Sequence, residues 1–190
     1  MSKMTEIRWH ARGGQGAVTA GKLVAETALG ANLYFQAFPD YGAERMGAPI
    51  RAFTRLSTEP IHEHCQILEP NVVVVLDPTL LGLVDVTEGL TSDGVVVVNT
   101  TETPAQVRET LKLKGRKVFT VNASHIAIEE LGREITNTPM LGALCVATGM
   151  FSIDDVATQI QKNFSKKMRK DVVDANVRAI RRAASEVQAG

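Results

Sequence analysis

The residues best suited to chemistry stand near the start of the chain. Arg12-Gly13-Gly14-Gln15-Gly16 places three glycines within four positions. They lie between an apolar stretch that reads as a strand (residues 7–11) and a run of helix formers (residues 17–31). Glycine lets the backbone take φ > 0 and approach a ligand closely. The unsatisfied N–H groups at a helix start attract an anion, and consecutive amides in such a turn form an anion-binding nest. Gln15 can add side-chain donors, and Lys22 follows about two turns along the helix. The implied chemistry is the holding of a phosphate or pyrophosphate. A tight strand-to-helix turn or a subunit contact would account for the same glycines, and both remain open. The spacing excludes the dinucleotide fingerprint G-x-G-x-x-G, and no Lys-Ser/Thr pair follows at P-loop distance. No acidic residue ends the second strand to hold a ribose, which disfavours NAD.

A second constellation lies at residues 39–49, where Asp40, Tyr41, Glu44 and Arg45 stand between Gly42, Gly47 and two prolines. A loop pinned in this way presents side chains rather than burying them. Either it is an internally salt-bridged loop, or Tyr41, Glu44 and Arg45 face a ligand or a partner subunit. His62, His64 and Cys65 could share one face of a strand, but nothing nearby completes a ligand set, so no metal site is expected. His125, at a helix start, reads as a cap or contact residue. Cys65 and Cys145 form no CxxC and read as two buried small hydrophobes. No Ser/His/Asp or paired-carboxylate arrangement emerges from the spacing, and no residue is assigned a catalytic role.

These residues need a scaffold. Residues 72–76, 95–98 and 118–121 are valine-rich and read as strands buried on both faces. Each ends in a polar turn: Asp77-Pro78, Asn99-Thr100 and Asn122. Residues 32–38 and 50–56 read as two further strands, the latter antiparallel to its neighbour. Helices are expected at 104–113 and 123–132. Thr138 is read as an N-cap with Pro139 at the first helical position, opening a helix over 140–149. Ser152 and Asp155 form a capping box, and a long basic helix is expected over 165–188. Its charge reads as a solvated face or as a contact with an acidic partner. The pattern predicts a three-layer α/β/α domain with a largely parallel, mixed sheet. It is expected as a single domain over 1–190, with a core at about 5–150 and a C-terminal helical extension at about 152–188.

Composition bounds the function. The chain has 190 residues, of which 44% are hydrophobic and 5% aromatic, and Lys+Arg equal Asp+Glu at 21 each. Zero net charge argues against a general nucleic-acid binder. The first residues have no apolar signal core, and no run approaches the ~18–20 apolar residues of a membrane helix. A cytoplasmic protein without membrane association is expected.

Three segments together carry a resemblance: residues 11–16 (Ala-Arg-Gly-Gly-Gln-Gly), residues 41–49 (Tyr-Gly-Ala-Glu-Arg-Met-Gly-Ala-Pro) and residues 137–143 (Asn-Thr-Pro-Met-Leu-Gly-Ala). In this order, and spanning nearly the whole chain, they resemble the gamma subunit of 2-oxoacid:ferredoxin oxidoreductases. Related branches often read Val-Arg-Gly-Gly where this chain has Arg45-Met46-Gly47-Ala48, a form that resembles the pyruvate branch. The resemblance implies a multisubunit enzyme, with alpha, beta and delta-type partners, that oxidatively decarboxylates pyruvate, forms acetyl-coenzyme A and reduces ferredoxin. It implies that thiamine diphosphate, Mg and iron–sulfur clusters belong to partner subunits. It also implies that coenzyme A is held at Arg12, Gly13, Gly14, Gln15, Gly16, Ala17, Val18 and Lys22. A purely structural assembly subunit, or the gamma chain of a branched-chain or 2-oxoglutarate enzyme, is the alternative.

Overall fold

The computed structural model describes residues 4–40 and 47–190. Tyr41, Glu44 and Arg45 therefore lie outside the described residues. Among the described residues, seven strands form one mixed sheet. They are β1 (Met4–Arg12), β2 (Tyr34–Asp40), β3 (Pro49–Ser57), β4 (Val72–Val75), β5 (Val95–Asn99), β6 (Lys117–Val121) and β7 (Gln188–Ala189). The helices are α1 (Ala17–Gly30), α2 (Pro104–Thr110), α3 (Ala123–Leu131), α4 (Asn137–Thr148), α5 (Ile153–Phe164) and α6 (Lys170–Glu186). The strand order is β2-β3-β1-β4-β5-β6-β7. β1, β4, β5 and β6 are parallel, while β3 is antiparallel to both β1 and β2.

The valine runs are explained by coverage on both faces. Val72 and Val74 join Ile7, Trp9 and Ala11 in a core cluster beneath α1, α3, α4, α5 and α6. Val73 and Val75 point the other way, into a smaller cluster with Val96, Val98, Val118, Leu80 and Val107. Alternation puts successive side chains on opposite faces, so a strand covered twice must be apolar throughout. The layers are unequal: five helices cover one face, and α2 with a short 3₁₀ turn (Pro78–Gly82) covers part of the other.

Several expected boundaries move. The second strand begins at Tyr34 because Asn32 takes a left-handed turn (φ 55), and it runs through Pro39 and Asp40, which were expected in a loop. The helix expected at 104 ends at Thr110, with Lys112 at φ 52. α4 starts at Asn137, so its N-cap is Thr136, and Thr138 and Pro139 lie inside its first turn. The long helix expected over 165–188 starts later. The amides of Lys167 and Met168 close onto Phe164 O in a turn, and α6 begins only at Lys170 after an extended Arg169. Its buried stripe is Val173, Ala175, Asn176, Ala179, Ile180 and Ala183. Cys65 is exposed, contrary to expectation, whereas Cys145 is buried and its thiol is pushed up to about 12, chiefly by that burial. The capping box of Ser152 and Asp155 forms as expected.

Candidate ligand-binding crevice

The sheet order creates the site. From β1 the chain runs to β2 and β3 on one side, then crosses to β4, β5 and β6 on the other. Connections diverge at the carboxyl ends of β1 and β4, where open α/β sheets leave a crevice. The glycine loop and Asp77 meet at this edge, joined through Gln15 and Arg12.

The loop is held by its own polar atoms and by both neighbouring segments. Gln15 N donates to Arg12 O (3.1 Å) and Gly13 N to Ala48 O (3.0 Å). Gln15 Oε1 accepts from Arg12 N (2.7 Å), and Gln15 Nε2 donates to Asp77 Oδ2 (2.7 Å). The Arg12 guanidinium reaches Thr79 Oγ1 (2.8 Å), Gly47 O (3.0 Å) and Asp77 Oδ2 (3.3 Å). The structure thus joins the glycine loop to residues 47–48, which end the second constellation. Burial pushes the Asp77 carboxyl up, but hydrogen bonds from Thr79 and Gln15 and the charge of Arg12 outweigh it and hold the group below the ordinary range. The carboxylate that would repel an anion here is therefore bound to donors.

α1 opens without a cap. Gly16 takes a left-handed conformation (φ 83, ψ 23) and no side chain bonds to the first turn. The N–H groups of Ala17, Val18 and Thr19 have no acceptor among the described residues, so they present the positive end of the helix to the crevice. Ala17 is buried and can offer only its amide. Val18 is half-buried, Gly14 is exposed with φ 96, and Lys22 is exposed in the second turn of α1. Gln15 is less free than its type suggests, because its oxygen and one amide hydrogen serve the loop.

Residues missed in the sequence complete the carboxyl edge. Asp77 and Thr79 anchor Arg12 and Gln15; the signal for them was a polar pair closing a valine strand. Asn99, which is buried, donates to Leu76 O (2.8 Å) and Ser124 Oγ (3.0 Å), and accepts from Ser124 N (3.1 Å). It fixes the ends of β4 and β5 and the start of α3 against one another. Asn137, at the start of α4, packs against Gly16.

The opposite face of β1 carries a second polar cluster. Buried Arg8 donates to Val86 O and to Glu88 O, and its Nε donates to His10 Nε2 (3.1 Å). An arginine can only donate, so neutral His10 carries its proton on Nδ1. Burial, with the charges of Arg8 and Arg51, pushes His10 down to about 3. Arg55 pairs with Glu6 (2.7 Å) and lies 5.5 Å over the Phe38 ring. This cluster is satisfied internally and braces the half of the sheet that lacks a helix.

The remaining candidates lie apart from the crevice. His62, His64 and Cys65 are exposed, and among the described residues no group of three or more His, Cys, Asp or Glu is placed to hold a metal. His125 Nε2 lies 3.2 Å from Glu129 Oε2. On α6, Arg178, Arg181 and Arg182 pair with Glu130, Asp154 and Glu129 of this chain. Among the described residues, no helix is long and apolar enough to cross a membrane.

Residues 6–186 match the family model described as pyruvate ferredoxin/flavodoxin oxidoreductase. The chain is 50% identical over 185 residues to the pyruvate/ketoisovalerate oxidoreductases common subunit gamma of Pyrococcus abyssi, covering 97% of this chain and 98% of that one. It is 48% identical over 186 residues to pyruvate synthase subunit PorC of Thermotoga maritima, covering 98% and 96%. The crystal structure of pyruvate oxidoreductase subunit PORC from Thermotoga maritima superposes with a TM-score of 0.87 at 43% identity, over 100% of this chain and 99% of that one. A 2-oxoglutarate:ferredoxin oxidoreductase from Magnetococcus marinus, solved with 2-oxoglutarate, coenzyme A and succinyl-CoA bound, shares the fold. Its TM-score is 0.76 at 19% identity, over 97% of this chain and 31% of that one.

Proposed function

Because the chain belongs to the pyruvate ferredoxin/flavodoxin oxidoreductase family, as a gamma-type subunit of a multisubunit oxidoreductase, we propose that its crevice holds the phosphate end of coenzyme A. The chain then acts within a pyruvate:ferredoxin oxidoreductase, beside thiamine diphosphate carried by partner subunits. The observation that carries this reading is the open start of α1: three N–H groups without acceptors among the described residues, behind a left-handed Gly16, at the carboxyl edge of a parallel sheet. Coenzyme A has a diphosphate and a 3′-phosphate, and a helix N-terminus binds such groups through its amides. The Magnetococcus enzyme, with coenzyme A bound, uses the same fold for part of its chain.

This division of labour suits the residues present. The chain's two cysteines are far apart in sequence, one buried and one exposed, so a four-cysteine cluster would need another subunit. In this reading, partner subunits carry the thiamine diphosphate, the Mg and the iron–sulfur clusters. They also perform the decarboxylation and pass electrons to ferredoxin, while this chain positions the acyl acceptor. The choice of 2-oxoacid lies elsewhere too, as the Pyrococcus relative's description as common to pyruvate and ketoisovalerate oxidoreductases suggests.

Thr19→Glu tests the reading. Thr19 is exposed at the third position of α1, where a carboxylate favours the helix and repels a bound phosphate. Calorimetric titration of the assembled enzyme with coenzyme A is expected to show Kd raised about tenfold, a difference worth about 1.4 kcal/mol, with pyruvate decarboxylation retained. An unchanged Kd would sink the ligand role. Loss of the chain from the purified complex would instead favour a purely structural subunit.

A further inference from the structure

We propose that Asn137 is itself a ligand-binding residue, its side-chain amide donating to the phosphate held at the start of α1. This rests on the coenzyme A reading above and adds to the glycine loop a contact from a distant part of the chain. Asn137 is only 6% exposed and is the first residue of α4. Its Oδ1 accepts from Thr138 N (2.8 Å) and from Thr138 Oγ1 (3.4 Å). A backbone N–H can only donate, so the oxygen must face it, and the orientation of the amide is fixed by chemistry. Nδ2 therefore points the other way, toward Gly16. It lies 2.6 Å from the place a Cβ on Gly16 would occupy.

There Nδ2 forms no hydrogen bond to the described residues, and it is not among the side-chain atoms sealed from solvent without a partner, so this donor is open to a ligand. Asn137 also lines a cleft of about 650 Å³ together with Thr19 and Thr138, so a ligand can reach it. Two sets of unpaired donors thus converge: the amides of Ala17, Val18 and Thr19, and the Asn137 side chain. No acceptor among the described residues serves them. A phosphate oxygen, with several lone pairs and a negative charge, satisfies both sets at once. Gly16 is then required twice, for its left-handed backbone and for the space the amide occupies.

The assembled enzyme carrying Asn137→Asp separates this from a packing role. Aspartate keeps the acceptor for Thr138 N–H and suits a helix start, but it replaces the donor by a carboxylate. The KM for coenzyme A is expected to rise about tenfold or more, the range for a lost hydrogen bond to a charged group. Thermal stability and kcat at saturating coenzyme A should hold. The KM for pantetheine, which has the thiol arm without phosphates, should not move. Dephospho-coenzyme A then assigns the contact: a KM that rises as it does for coenzyme A places Asn137 on the diphosphate, and one that stays with pantetheine places it on the 3′-phosphate. An unchanged KM for coenzyme A, or parallel rises for coenzyme A and pantetheine, overturns the proposal. If Thr19→Glu weakens coenzyme A binding while Asn137→Asp does not, only Asn137 is wrong. If neither does, the coenzyme A reading falls with it.

Discussion

His10 shows what a single buried residue does to the whole chain's response to acid. Burial above all, and then the charges of Arg8 and Arg51, keep its ring from taking a proton in the folded state until about pH 3, against 6.5 for an ordinary histidine. The unfolded chain takes up that proton first. Stability therefore falls as the pH drops through this window, with a slope of up to about 1.4 kcal/mol per pH unit from this group. Glutamine can offer an acceptor in place of Nε2 and cannot protonate. His10→Gln is expected to flatten the dependence of unfolding free energy on pH between about 6.5 and 3, as followed by urea titration. Parallel slopes in variant and parent would assign the acid sensitivity to other groups. The partner of such a residue cannot be read locally. Arg8 and His10 are two apart on one face of a strand, and that alternation is visible in the sequence. The carbonyls of Val86 and Glu88, which bind Arg8, come from a distant loop.

At the level of elements, the contact between α4 and α6 depends on a missing side chain. A Cβ on Gly142 would stand 2.2 Å from Ile180 O and 3.2 Å from Ala184 N. Both are backbone atoms of another helix, so neither can turn aside. Gly142→Ala is expected to force the helices apart and lower stability by about 1–3 kcal/mol or more, read as a lower urea midpoint. A midpoint equal to the parent's would show that the helices can slide. The sequence predicted a helix here but could not say which neighbour came close. It also missed β7, because Gln188–Ala189 is too short to show a period. The strand exists through pairing with β6 and through the mutual hydrogen bonds of Val118 and Gly190. By contrast, the β4, β5 and β6 strands were legible, since burial on both faces demands an unbroken apolar run.

For the molecule as a whole, the C-terminal helices are part of the core. Val156, Ile160, Ala179, Ile180 and Ala183 share one cluster with Trp9, Leu23 and Met140. Burying Val156, Ile160, Val173 and Ile180 contributes about 1.5–3 kcal/mol each, which together is comparable to the ~5–15 kcal/mol net stability of a typical domain. A chain ending at residue 151 is therefore expected to lose the cooperative thermal transition seen by circular dichroism for the full chain. A sharp transition in that fragment would mean that residues 152–188 form a separable extension.

The sequence by itself determined the class of the fold, the buried strands and the place of the glycine loop. Each of these is written in local spacing: valine runs, polar strand ends, and glycines ahead of a helix. The three shared segments identified the family for the same reason. Only the tertiary structure decided what the loop meets. Gln15 binds Asp77, 62 residues away; Gly13 and Arg12 bind the start of the β3 segment; Asn137 comes to Gly16 from a distant part of the chain. These meetings depend on the order in which strands enter the sheet, and that order is set by the packing of every element at once. A periodic pattern reports which face of a segment is covered, and says nothing of which segment covers it.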